Sequence, residues 1–286
     1  MRIHVLGSAA GGGVPQWNCR CLNCRAARRH GVRRTQSSVV VSADEKRWVL
    51  LNASPDLCTQ FASFAALTPR RTLRGSAIEA VVLTDGELDH VTGLLSLREA
   101  SALRLVCTRS VRRLLTQDFP LLPALRRYAR IEHTSFPARL AGLRLSALEV
   151  SGKAPPYARR GGAVGLRIED TQRRQALVYL PGLPAITKRV NRLVAGSDCL
   201  LVDGTFWADN EMTGLGLTRR TARKMGHVPI SGADGSLAWL RQLDVPRKVY
   251  IHINNTNPIL RRGSSARRDV EAAGVEVADD GMDIRL

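Results

Sequence analysis

Asp85, Glu87, Asp89 and His90 crowd into the stretch LTDGELDHVTGL, residues 83–94. Carboxylates and an imidazole this close together are a ligand set for a metal of the harder kind. An ordinary helix start accounts for part of the pattern. An aspartate serves as N-cap, and acids favour the positive end of the helix dipole. That explains one or two carboxylates, but not His90 beside the third, nor Gly93 soon after. The preceding run, Ala77–Leu83, reads as a buried strand that delivers the chain to this polar loop, and Thr92–Ala102 reads as a helix behind it. Ligands at the carboxyl end of a strand form a recurrent site architecture.

A second constellation is WNCRCLNC, which sets Cys19, Cys21 and Cys24 in a Cys-x-Cys-x-x-Cys pattern. Three thiolates on a tight loop converge on one Zn²⁺, and Cys-rich tetrahedral sites are usually closed and structural. Three free thiols beside a Gly-rich loop would instead be an oxidation hazard. The fourth ligand has to come from elsewhere, with His30 and His227 as the candidates. Cys58, Cys107 and Cys199 stand singly on apolar runs or a helix and are expected to be small buried hydrophobes.

Three distant segments carry more ligand types. LLVDGTFWADNEM ends a buried strand at Asp203 and continues to Asp209 and Glu211; MGHVP frames His227; YIHINNTNP holds His252 inside an apolar run. In isolation His252 reads equally well as a core histidine. His4 and His133 have no supporting context and are read as structural.

These segments need a scaffold, and the 286 residues are enough for one large core. Apolar runs at 2–6, 37–41, 48–52, 77–83, 103–107, 143–150, 163–169, 176–180, 199–202 and 248–253 read as strands, the second and third as a hairpin around the polar turn ADEK. Helical spacing occurs at 56–66, 111–117, 190–195 and 236–243, and the runs at 275–278 and 282–286 read as a closing strand pair. Hairpins in both halves and interleaved helices make this an α/β chain with mixed sheets, not a doubly wound parallel one. No linker marks a boundary, so residues 1–286 are expected to be one domain.

Lys and Arg number 43 against 25 Asp and Glu, a net charge of +18, but the arginines are scattered in pairs and aromatics make up only 5%. That argues for a basic proteome or an anionic substrate and against a nucleic-acid platform. No signal peptide and no membrane-spanning run is visible, and a cytoplasmic location is expected.

Together the motifs match something known. T-D-x-E-x-D-H-x-x-G-L resembles the T-H-x-H-x-D-H-x-x-G-L signature of the metallo-β-lactamase superfamily: Thr84, Asp89, His90, Gly93 and Leu94 match, and Asp85 and Glu87 stand where the first two histidines would be. LLVDGTF is similar to an acidic segment of tRNase Z-like members, with Asp203 at the acidic position, and His252 falls where their final metal histidine does. Within the superfamily, GSAAGGGVPQWNCRCLNC, LTDGELDHVTGL, DGTFWADNEM, MGHVPI and HINNTNPIL resemble the coenzyme PQQ synthesis protein B family, over the whole chain.

The resemblance implies a four-layer αββα metallo-β-lactamase-like sandwich with a metal site at the sheet edge. The departures bear on the chemistry. Two motif histidines are carboxylates, the bridging aspartate segment is replaced by LPG at 180–182, and no histidine occurs around 151–155. A hydrolytic dizinc site is therefore disfavoured. Asp89, His90 and His252 are left, with Asp85 and Glu87 as further ligands or as supports behind the ligands; two histidines and a carboxylate suit non-haem Fe²⁺ and O₂. The implied function is hydroxylation of the tyrosine ring of a PQQ precursor derived from a cross-linked Glu-Tyr peptide. Asp203 and His227 would be the acid/base pair, and arginines would hold the substrate carboxylates. The rival readings are a non-catalytic carrier of PQQ or its precursor towards the periplasm and a peptide-trimming hydrolase. Neither nucleic acid nor membrane insertion is expected, and a homodimer is left open.

Overall fold

The computed structural model describes residues 1–69, 73–159 and 161–286. Its strands are β1 (Arg2–Gly7), β2 (Ser38–Ser42), β3 (Trp48–Leu51), β4 (Ile78–Val82), β5 (Ala102–Val106), β6 (Arg130–Thr134), β7 (Ala138–Leu140), β8 (Leu143–Ser151), β9 (Ala163–Asp170), β10 (Gln175–Leu180), β11 (Cys199–Asp203), β12 (Arg247–Ile251), β13 (Glu276–Val277) and β14 (Asp283–Arg285). The chain packs as two compact units: Met1–Gly7, Ser37–Gln175 and Gly281–Leu286 form the first, and Ser8–Gln36 with Ala176–Asp280 the second. Both are discontinuous, so no linker could mark them in the sequence.

In the first unit the strand order β14-β1-β2-β3-β4-β5-β6 starts antiparallel and turns parallel from β3 onward. β7, β8 and β9 form an antiparallel run. One face of the sheet carries a continuous apolar cluster, including Trp48, Leu50, Leu83, Leu94, Leu105 and Leu114. Each such buried side chain contributes about 1.5–3 kcal/mol of transfer free energy, the main term holding the layers together. β3 and β4 are parallel neighbours, with Leu51 opposite Val82, so the residues after their carboxyl ends, Asn52 and Leu83–Asp85, emerge side by side.

In the second unit β10, β11, β12 and β13 are all parallel, with Val202 opposite Tyr250 and Tyr250 opposite Val277. β11 is buried throughout, which is why it reads as an unbroken apolar run. Its last residue, Asp203, pairs with Ile251, which brings Asp203 and His252 to the same edge.

The sequence reading needs adjustment at four places. The closing runs do not pair with each other: β13 adds to β12 and β14 to β1. The helix expected over 92–102 is one α turn, Leu88–Val91, followed by a 3₁₀ stretch, Thr92–Leu97. The Gly93 amide bonds to the Ala53 carbonyl at 2.9 Å instead of continuing the helical ladder. Cys58 is exposed on the helix Leu57–Ser63, because it falls on the face opposite buried Leu57 and Gln60; Cys107 and Cys199 are buried as expected. His252 lies just past β12 with φ +57°, in the left-handed region.

Candidate metal centres

The acidic loop of the first unit is built around His90. The side chain is buried, and both oxygens of Asp85 lie 2.8 Å from its Nδ1. A carboxylate only accepts, so Nδ1 carries a proton and Nε2 is the atom turned to a ligand. Asp85 is itself fixed: Oδ1 accepts from the Glu87 amide at 2.9 Å and Oδ2 from the Thr84 hydroxyl at 2.7 Å. Asn52 closes the chain by accepting from the Thr84 amide and donating to the Thr84 hydroxyl, both at 2.9 Å. Asn52 has φ +57°, a conformation that asparagine tolerates better than most residues. The Tyr157 hydroxyl also donates to the Gly86 carbonyl, pinning the loop from outside.

Burial pulls the His90 imidazolium down, but Asp85 and Asp89 outweigh it and hold the pKa up at about 9. Burial likewise pushes Asp85 up, and His90 more than reverses that, leaving it below the ordinary carboxylate range. A divalent ion at Nε2 would displace the proton held there. Asp89 Oδ2 is 4.0 Å from His90 Nε2. Two ligand atoms that each sit about 2.1 Å from one ion are at most about 4.2 Å apart, so this spacing fits a shared ion. Glu87 is exposed, opens the short helix, and belongs to none of the ligand-distance groups among the described residues.

In the second unit, ligand atoms of Asp203, His227 and His252 all lie within 4.8 Å of one another. Asp203 is the hub. Its Oδ2 accepts from His227 Nδ1 at 2.7 Å and from the Leu183 amide at 2.9 Å. Its Oδ1 accepts from the Thr205 amide at 3.0 Å and from the Thr205 hydroxyl. With its hydrogen given to Asp203, the Thr205 oxygen accepts from His252 Nδ1 at 2.9 Å, which again leaves Nε2 as the ligand atom. Burial pushes Asp203 up, but His227 outweighs it and holds the carboxyl below its ordinary range. The His227 and His252 rings stack at 5.9 Å, and Phe206 meets His227 edge-on at 5.6 Å.

Cys19, Cys21 and Cys24 converge as expected, with their sulfurs within 4.8 Å of one another. Cys21 caps the helix Leu22–His30, and its sulfur accepts from the Cys24 amide at 3.4 Å. Gln16 N–H points at Cys24 Sγ at 3.3 Å and Cys21 N–H at Cys19 Sγ at 3.4 Å. Amides aimed at sulfur favour its thiolate form, the form that binds a metal. Neither His30 nor His227 joins this group: His30 ends the helix, and His227 is held by Asp203. The residue that does reach the sulfurs is Asn255, whose Nδ2 lies 3.2 Å from Cys24 Sγ.

Asp209 accepts from the Arg223 amide, and Glu211 accepts from the Trp207 amide and the Thr256 hydroxyl. Asn52, Thr205, Tyr157 and Asn255 were not singled out in the sequence. Thr205 carried one signal, since it lies two residues after Asp203, which ends the strand β11.

A family model described as a β-lactamase superfamily domain matches residues 47–253. Over the full length of both chains the protein is 45% identical to coenzyme PQQ synthesis protein B of Methylococcus capsulatus and 45% identical to that of Pseudomonas aeruginosa. The crystal structure of Zn²⁺-bound PqqB from Methylobacterium extorquens superposes with a TM-score of 0.92 at 38% identity, covering all of both chains. A diphosphatase of the PhnP family, at a TM-score of 0.72 and 22% identity, shares the fold. The fold is that of the metallo-β-lactamases, two mixed β-sheets with helices. Family model, full-length relatives and superposed structure agree that the chain belongs to the coenzyme PQQ synthesis protein B family of the β-lactamase superfamily.

Proposed function

We propose that this protein acts in the cytoplasm in PQQ biosynthesis, as an iron- and O₂-dependent hydroxylase of the tyrosine ring of a peptide-derived precursor. The names of its relatives support the pathway. One observation supports the finer reading: Asp85, which stands where the superfamily has a metal histidine, spends both oxygens on His90 Nδ1. A carboxylate engaged in that way orients one ligand; it does not add a second ion. The superfamily motif order would then give a single ion Asp89, His90 and His252, two imidazoles and one carboxylate, a donor set suited to Fe²⁺. When bound, the iron would supply one-electron and O₂ chemistry.

The protein's own groups have simpler tasks. Asp85 and Thr205 fix the tautomers of His90 and His252. His227, half-buried and held through Nδ1 by Asp203, keeps Nε2 for accepting and returning a proton, the acid/base role. The solved relative is Zn²⁺-bound, so a test has to count both ions. Anaerobic reconstitution with Fe²⁺ should load iron in addition to zinc at the cysteines. On admitting O₂ with a tyrosine-containing precursor and an added two-electron reductant such as ascorbate, oxygen uptake should follow, with one oxygen atom gained by the ring and the other released as water. Zinc alone, tight PQQ binding and no oxygen uptake would replace this reading with the carrier.

A further inference from the structure

The cysteine cluster and His252 lie on separate segments of the second unit, and Asn255 joins them. Asn255 Nδ2 is 3.2 Å from Cys24 Sγ and 3.6 Å from Cys21 Sγ. Asn23, between those cysteines, donates from Nδ2 to the carbonyls of Asn255 at 2.9 Å and Asn257 at 2.8 Å. On the other side, Asn257 Nδ2 donates to the Gly204 carbonyl at 2.8 Å, and the Asn254 amide to the Thr205 carbonyl at 3.1 Å. Thr205 is the residue that holds His252 Nδ1. The stretch 252–257 is therefore gripped both by the cysteine loop and by the Asp203–Thr205 turn, the two meeting at Asn257.

His252 has particular need of such support. Its φ of +57° is a left-handed conformation for a residue that is not glycine. Conformations of this kind persist only where the surroundings over-determine them. We propose that Asn255 is a positioning residue that couples the two centres, so that a Zn²⁺ ion on Cys19, Cys21 and Cys24 fixes His252 in place for its own ligand role. The coupling has a physical cause. An ion turns the thiols into thiolates, and the Asn255 N–H groups then face charged sulfur, where hydrogen bonds strengthen. The Cys21 sulfur also lies 3.4 Å from the Asn255 carbonyl oxygen, a further contact that ties the cysteine loop to this residue. The zinc centre becomes a brace for the histidine three residues upstream.

The inference rests on the proposed function only in taking His252 as a ligand, and its test reads backbone protection, not activity. Hydrogen–deuterium exchange over residues 250–258 is measured in the full-length His90→Ala protein, where the centre containing His90 is disabled, with and without one equivalent of Zn²⁺. Zinc should slow exchange of the Ile253, Asn254 and Asn257 amides about tenfold, as local opening becomes rarer. Asn255→Ala should abolish that slowing while Co²⁺ still gives its thiolate charge-transfer band, and Asn255→Gln, which keeps the amide, should restore part of it. Zinc binding with no change in exchange, or slowing that persists in Asn255→Ala, overturns the coupling. If Asn255→Ala fails to fold, the zinc-free and zinc-loaded states of the protein with Asn255 intact still decide. The metal content of His90→Ala reports separately on the proposed active site.

Discussion

Both oxygens of Asp85 lie 2.8 Å from His90 Nδ1, so this carboxylate holds the imidazole five residues on by its Nδ1 edge. The same device recurs in the second unit, where Asp203 reaches His252 Nδ1 through the Thr205 hydroxyl. In each case a buried aspartate fixes one ring nitrogen and commits the other. Partners of metal histidines typically account for 10–100-fold in metal affinity. Asp85→Asn should therefore weaken metal binding about 10–100-fold with the fold intact, since the amide still accepts from Glu87 N–H but no longer holds the imidazole by charge. Calorimetric titration of the zinc-loaded protein with Fe²⁺ or Co²⁺ checks this, and unchanged affinity would remove Asp85 from the site.

Thr205→Val keeps the shape and deletes the hydroxyl. Asp203 Oδ1 keeps only the Thr205 amide, and His252 Nδ1 loses its acceptor, both in buried surroundings. Leaving such groups unsatisfied costs about 1–3 kcal/mol. Urea denaturation of metal-free protein should show that loss, and metal affinity should fall as well. A stability loss with metal affinity unchanged would mean that Thr205 braces the turn without orienting His252.

Gly93→Ala tests how the short helix is seated. A Cβ at Gly93 would come within 2.0 Å of the Ser54 carbonyl oxygen and 2.8 Å of the Ala53 oxygen, both backbone. Neither can step aside, because the Ala53 amide donates to the His90 carbonyl at 2.7 Å. The substitution should cost at least about 1–3 kcal/mol and loosen His90 with it. A melting temperature within a degree of the parent would show that this contact yields more easily than its geometry implies.

Much of this was legible in the sequence because strand and site follow the same logic. Buried parallel strands read as unbroken apolar runs, and chemistry follows where those runs stop, at Leu83 and at Asp203. The cysteine spacing was legible for a similar reason, since ligands so close in sequence leave the chain little freedom. What the sequence did not yield depends on pairing across distance. Asn52 matters because β3 and β4 are parallel neighbours, and Asn255 because its loop returns to the cysteines. Neither relation leaves a local pattern. The exposure of Cys58 was missed because a short helix buries only one face, and Leu57 and Gln60 define it.

The turn between β2 and β3 makes stability depend on acid. Asp44 accepts from the Lys46 and Arg47 amides and from the Arg47 guanidinium, each at 2.9 Å. Burial would push its carboxyl up, but these bonds outweigh it and lower the pKa from 3.8 to about 2. A carboxylate depressed on folding adds stability above its unfolded value, and that stability is lost as pH falls through the folded one. With one third of the side chain in water, the contribution is discounted to about 1 kcal/mol. Asp44→Ala should lose about that much at pH 7, and the gap to the parent should close between pH 4 and pH 2. A gap that stays constant in denaturation across that range would assign the loss to turn geometry alone.

Cysteine labelling separates the metal-binding thiols from the rest. Cys107 and Cys199 are buried, and burial pushes both thiols up to about 12, so they present almost no thiolate. Cys58 is exposed, and Cys19 and Cys21 are partly so. In zinc-loaded protein, iodoacetamide should modify Cys58 alone, because thiolates committed to a metal are shielded from the alkylating agent. Stripping the zinc should expose Cys19 to the reagent, while Cys21, whose thiol burial pushes up to about 12, reacts far more slowly and Cys107 and Cys199 stay inert. Peptide mass mapping of the two states reads this directly. Equal modification of Cys19 with and without zinc would mean that the ion is held elsewhere, and that the convergence of the three sulfurs serves the helix cap rather than a metal.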